Sequence, residues 1–108
     1  MEGFWTVQFN GIQGRGAGVV TLIGGQLFGG DSGFLYTGTY TTQGDKLDVQ
    51  VNVRRFAPCL AQSVMGRDQF ELRLSGTLNG SVVTLAGTVP GTEARLSGTM
   101  NKHGNLPR

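Results

Sequence analysis

Apolar and polar residues alternate along most of this chain. Leu47, Val49, Val51 and Val53 share one parity, and Asp48, Gln50, Asn52 and Arg54 share the other. Phe70, Leu72 and Leu74 oppose Glu71, Arg73 and Ser75, and Ala94, Leu96 and Met100 oppose Glu93, Arg95 and Ser97. Successive side chains of a strand point to opposite faces, so this period of two marks strands with one dry and one wet face. Leu74-Ser75-Gly76-Thr77, Leu85-Ala86-Gly87-Thr88 and Leu96-Ser97-Gly98-Thr99 repeat every 11 residues, and Thr37-Gly38-Thr39-Tyr40 is a looser copy. A strand with its tight turn takes roughly 8 to 12 residues, so the repeat describes a β-meander.

The pattern predicts strands over Gly3–Asn10, Ala17–Ile23, Gln26–Gly30, Leu35–Thr42, Lys46–Phe56, Phe70–Thr77, Ser81–Val89 and Glu93–Met100. The breaks carry turn chemistry, with Asn79-Gly80 the strongest hairpin signal. Ala57 to Gly66 differs: Pro58 stands near its start, Gly66 at its end, and Leu60 and Val64 are four apart, which predicts two turns of helix. Sequential antiparallel strands with one dry face close on themselves and remove both sheet edges. The expected fold is therefore all-β: an eight-stranded antiparallel up-and-down barrel, with one short helix between strands five and six. Residues 1–102 form the domain, and residues 103–108 form a frayed tail. The repeated Gly38, Gly76, Gly87 and Gly98 fall on the inward parity, where a missing side chain lets a strand coil or a neighbour approach.

The first strands are apolar on both faces. Val19 and Ile23 oppose Val20 and Leu22, while Phe4 opposes Trp5, Val7 and Phe9, with Phe28 and Phe34 nearby. A doubly apolar strand must bury both faces. One small helix cannot cover three strands, so a symmetric homodimer is expected, with Phe4, Val20, Leu22, Phe28 and Phe34 as its partner or dimer interface.

Composition narrows the class. At 108 residues this is one domain, and the lone Cys59 excludes an internal disulfide. Met1-Glu2-Gly3-Phe4-Trp5 has no basic leader region, and no apolar run approaches the roughly 18 residues of a membrane span. The net charge is +2, and Arg54-Arg55 are the sole adjacent basic pair, a weak footprint for nucleic acid. These features point to a cytoplasmic protein with no direct contact to nucleic acid or membrane.

No catalytic constellation assembles. Gly30-Asp31-Ser32-Gly33 resembles the nucleophile segment of trypsin-like proteases, but His103 is the sole histidine and lies in the expected tail. A serine nucleophile needs a base within hydrogen-bond reach, so a turn in which Asp31 or Ser32 bonds local backbone is the expectation. Gly14-Arg15-Gly16-Ala17-Gly18 is followed by a strand where a dinucleotide loop requires a helix. One His and one Cys, separated by 44 positions, make no metal site. Asp48 and Glu71 lie on wet faces, and Cys59 has no basic neighbour to activate it. A non-enzymatic protein without metal or cofactor is expected.

Gly3-Phe4-Trp5 on the first strand resembles the G-x-W of lipocalin and calycin barrels, in which the Trp closes one end and a late-strand Arg packs across it. Arg73 and Arg95 are the candidates for that arginine, although both have outward parity. A wider stretch, Gly16 to Gly66, resembles the GrlR-type family, small negative regulators of type III secretion genes. The matching residues are Gly16-Ala17-Gly18-Val19-Val20, Gly25, Gly29-Gly30-Asp31, Tyr36-Thr37-Gly38, Val51-Asn52-Val53-Arg54-Arg55-Phe56 and Ser63-Val64. The resemblance implies a lipocalin-like eight-stranded barrel that dimerises and sequesters a transcriptional activator. Such regulators carry a Glu-Asp-Glu-Asp patch after the fourth strand. The matching candidate partner loop here is Gln43, Gly44, Asp45 and Lys46, whose charges cancel.

A second function fits the same barrel, namely carriage or sensing of a small apolar ligand. Its interior contacts would be Trp5, Phe9, Tyr36, Tyr40 and Phe70. Five inward aromatics predict a filled interior, with the inward glycines as the route to a pocket.

Overall fold

The structure is a computed structural model, and it describes residues 1–11, 14–56, 69–93 and 95–105. The strands are β1 (Gly3–Gly11), β2 (Gly14–Ile23), β3 (Gln26–Gly30), β4 (Phe34–Gln43), β5 (Lys46–Arg55), β6 (Gln69–Asn79), β7 (Val82–Thr88) and β8 (Arg95–Gly104). Each pairs antiparallel with the next, and β1 pairs with β8, which closes the barrel. The expected helix falls on residues that lie outside those described. His103 and Gly104 belong to β8 rather than to a tail: the β1 ladder pairs Phe4 with Gly104, and at the register shift beside it Thr6 Oγ1 lies 3.0 Å from His103 Nε2. No helix among the described residues is long and apolar enough to cross a membrane.

Two-residue turns close one end. Gly24-Gly25 joins Ile23 to Gln26, and Gly44-Asp45 joins Gln43 to Lys46. The β6–β7 turn is Gly80-Ser81, one residue later than the Asn79-Gly80 signal suggests. Asn79 still pairs with Val82, and the first turn position, which needs positive φ, goes to Gly80 at 68°.

The alternating pattern resolves into an inside and an outside. Trp5, Leu22, Leu47, Val83 and Met100 are fully buried and plug the end that carries these turns. Trp5 Nε1 donates to the Met1 carbonyl at 3.0 Å, so the N-terminus folds over the indole. Gly3, at φ 142°, lies against the Gly104 backbone where a Cβ would collide. The Trp therefore sits at a closed end, as the G-x-W resemblance implies, but neither candidate arginine crosses it. Arg73 and Arg95 are exposed on the outer face, and Arg73 Nε pairs with Glu71 Oε1 at 3.2 Å.

The four repeated glycines do face inward. At Gly76 a Cβ would sit 2.8 Å from both Leu85 Cδ2 and Val83 Cγ1, so the absent side chain is filled by neighbours. At Gly38, Gly87 and Gly98 a partner-strand carbonyl occupies that space, which is the close approach a tightly coiled barrel needs.

Candidate functional site

The end opposite the plug carries the chemistry. Here β2 begins, β3 hands over to β4 through Asp31-Ser32-Gly33, and β5 ends. Between this end and the plug lies a cavity of about 240 Å³. Its middle is aliphatic, with Val49, Val51, Leu72 and Leu85 on its wall. Of the five aromatics expected to face inward, Phe9, Tyr36 and Phe70 border it, while Trp5 and Tyr40 do not. The interior is thus not filled as the aromatic count predicts. Trp5 belongs to the plug, and the medium-sized side chains at mid-barrel leave the centre empty.

A half-buried polar cluster stands at this end of the cavity. The Asp31 carboxylate organises the β3–β4 turn: Oδ1 accepts from the Gly33 and Phe34 backbone N–H groups, both at 2.9 Å. Oδ2 accepts the Tyr36 hydroxyl in a short hydrogen bond. The Asp31 N–H donates to the Phe34 carbonyl at 3.0 Å, and the Phe56 N–H donates to the Gly33 carbonyl at 3.0 Å, which ties the turn to the end of β5. The expected local turn at Asp31 is therefore present, and its carboxylate also reaches across to β4.

Tyr36 is held by Asp31, by Phe9 and by the close approach of Gly18. Its ring meets Phe9 edge-on, with centroids 6.3 Å apart and planes at 73°. Gly18 on β2 leaves it room, since a Cβ there would lie 3.0 Å from Tyr36 Cε2 and 3.1 Å from its hydroxyl oxygen. Burial first, then the hydrogen bond and negative charge of Asp31, push the phenol pKa well above its ordinary value. Tyr36 therefore stays a neutral O–H donor. Beside this pair, the Arg55 guanidinium lies 4.8 Å above the Phe34 ring, and exposed Arg15 and Ser32 border the mouth.

The expected interface set divides. Phe4 and Phe28 stand on the outer surface, at 43% and 46% exposure. Val20, Leu22 and Phe34 do not: all three are buried inside, and Val20 and Phe34 border the cavity. Their parity is that of Trp5 and Gly18, so the closed sheet turns them to the core. The outward apolar residues missed in sequence are Val19, Ile23 and Leu35. The inward-glycine rule could have found them, because Gly16 and Gly18 share the parity of Val20 and Leu22. In register, Val19 lies opposite Gly30 and Gly30 opposite Leu35, while Phe4 and Phe28 flank Thr21. The outer face of β1–β4 thus carries one apolar patch.

The outer face of β5–β6 is polar instead. Gln50 Nε2 donates to Glu71 Oε1 at 2.9 Å, and Ser75 Oγ donates to Asp48 Oδ1 at 3.1 Å. Gln43, Gly44, Asp45 and Lys46 form an exposed turn at the plugged end, remote from the cavity mouth. His103 is at that end as well, the length of the barrel from Ser32. No group of three or more metal-ligating side chains exists among the described residues. Comparison of the sequence with protein-family models and with curated proteins gives no match.

Proposed function

We propose that this protein is a non-enzymatic binding protein that holds one small apolar molecule inside its barrel. The observation that carries this reading is the apolar cavity of about 240 Å³, bordered at one end by the Asp31–Tyr36 pair. A cavity of about 150 Å³ takes up benzene, so this volume suits a molecule of about ten non-hydrogen atoms. Concave, mostly apolar space with a few convergent polar groups is the usual form of a small-molecule site. Titration with naphthalene, followed by amide chemical shifts, tests it. Saturable shifts confined to the inward residues Val51, Leu72 and Leu85 are expected. Shifts confined to the outer face of β1–β4, or none, would refute it.

The outer patch favours a second reading, which agrees with the GrlR-type resemblance. In it Phe4, Val19, Ile23, Phe28 and Leu35 bury against a second copy or a protein partner such as a transcriptional activator. The protein then acts in the cytoplasm as a negative regulator, without touching nucleic acid itself. The Gln43–Lys46 turn is a further contact for that partner. Sedimentation tests the dimer: a dimeric mass that falls to the monomer in Phe28→Lys supports it, and a monomer at micromolar concentration refutes it.

A further inference from the structure

We propose that the Asp31–Tyr36 pair makes the cavity selective for a neutral hydrogen-bond donor, an aryl alcohol or aryl amine rather than a carboxylic acid. This rests on the small-molecule reading above and names the polar end of its ligand.

The selectivity follows from which lone pairs and protons are already engaged. A carboxylate is an acceptor only, with about four lone-pair positions. Three are taken at Asp31, by the Gly33 N–H, the Phe34 N–H and the Tyr36 O–H. Tyr36 has one proton, and Asp31 holds it. What the pair can still offer a ligand is acceptor capacity, namely the last Oδ2 position and the lone pairs of the phenol oxygen. The raised phenol pKa keeps that proton in place. Both residues border the cavity. A guest that donates a hydrogen bond is matched there. A guest that only accepts meets lone pairs and no free proton on this pair, and a carboxylate meets a like charge in an apolar enclosure. Among the described residues, Arg15 and Ser32 are the other polar side chains at the mouth, and both are exposed to solvent.

The test uses four bicyclic probes in isothermal titration of the whole protein: naphthalene, 2-naphthol, quinoline and 2-naphthoate. With the wild type, 2-naphthol is expected to bind about fivefold more tightly than naphthalene, the size of one net hydrogen bond. Quinoline is expected to bind more weakly than naphthalene, and 2-naphthoate roughly a hundredfold more weakly than 2-naphthol. Asp31→Asn reverses the pattern. Its side-chain oxygen still accepts from the Gly33 and Phe34 N–H groups, while its amide donates to the Tyr36 oxygen. The phenol proton is then freed to point into the cavity, and quinoline overtakes 2-naphthol.

Equal binding of naphthalene, 2-naphthol and quinoline to the wild type would overturn this proposal and leave the cavity reading standing. Tightest binding of 2-naphthoate would overturn it in favour of Arg15 as the head-group partner. Failure of every probe to bind would overturn the cavity reading itself. The wild-type series decides the proposal even where the variant does not fold.

Discussion

Replacing Asp31 with alanine removes the acceptor of three hydrogen bonds at once, from Gly33, Phe34 and Tyr36. Gly33 and Phe34 are buried, and so is the phenol, so none of these donors turns freely to water. A net hydrogen bond contributes about 1 kcal/mol, and a buried donor left unsatisfied costs about 1–3 kcal/mol. Asp31→Ala should therefore cost about 3 kcal/mol. For a domain of this size that is a fall in melting temperature of about 12–24 °C. Asp31→Asn keeps the acceptor for both backbone donors and should cost only about 1 kcal/mol. Urea unfolding followed through Trp5, the sole tryptophan and fully buried, reads both values. An alanine variant within about 0.5 kcal/mol of the wild type, or an asparagine variant as damaging as alanine, would refute the role assigned to the carboxylate.

Leu22 and Ile23 are neighbours on opposite faces, at 0% and 40% exposure. Leu22→Ala should cost about 2–5 kcal/mol and Ile23→Ala under about 1 kcal/mol, and equal losses on urea unfolding would overturn the inside–outside assignment of β2. Tyr36 has its pKa raised by burial and by Asp31, whereas an unfolded tyrosine ionises near about 10. Its contribution to stability is therefore complete below about pH 10 and declines as pH rises above that value. In a Tyr40→Phe background, phenolate absorbance should appear only as the protein unfolds. Reversible titration of Tyr36 at its ordinary value in the folded state would count against the burial and bonding described for it.

The strands and their closure are legible in the sequence because alternation is a local signal, and Leu47 to Val53 state it without ambiguity. Boundaries shift where the ladder continues past the apolar run, as at Gly104, which pairs with Phe4 after a register shift that leaves His103 unpaired in the ladder. Sequence reasoning misplaces Val20, Leu22 and Phe34 for a different reason. When both parities are apolar, composition cannot say which one faces the core. The glycines on the parity of Val20 decide it, together with the register that turns Leu22 towards Leu27. The cavity is the least legible feature. Its volume depends on how far Val49, Val51, Leu72 and Leu85 reach towards the barrel axis, a distance set by strand tilt and not by residue type. The Asp31–Tyr36 bond lies between the two. Asp31 is recognisable as a turn former, but its second oxygen meets Tyr36 only because Gly18 leaves the ring its space.

Pairing of β1 with β8 has a consequence for how the chain is made. During synthesis β1 emerges before the other seven strands and β8 after them, so the seam joins residues as far apart as Thr6 and His103. Until β8 arrives, the nascent sheet exposes two unpaired edges, one along β1 and one along β7. Such edges recruit other strands, and long-range closures of this kind are slow. The last ten residues of the barrel therefore act as its clasp. A ribosome-bound or truncated chain lacking them presents an open, adhesive sheet in place of a closed barrel.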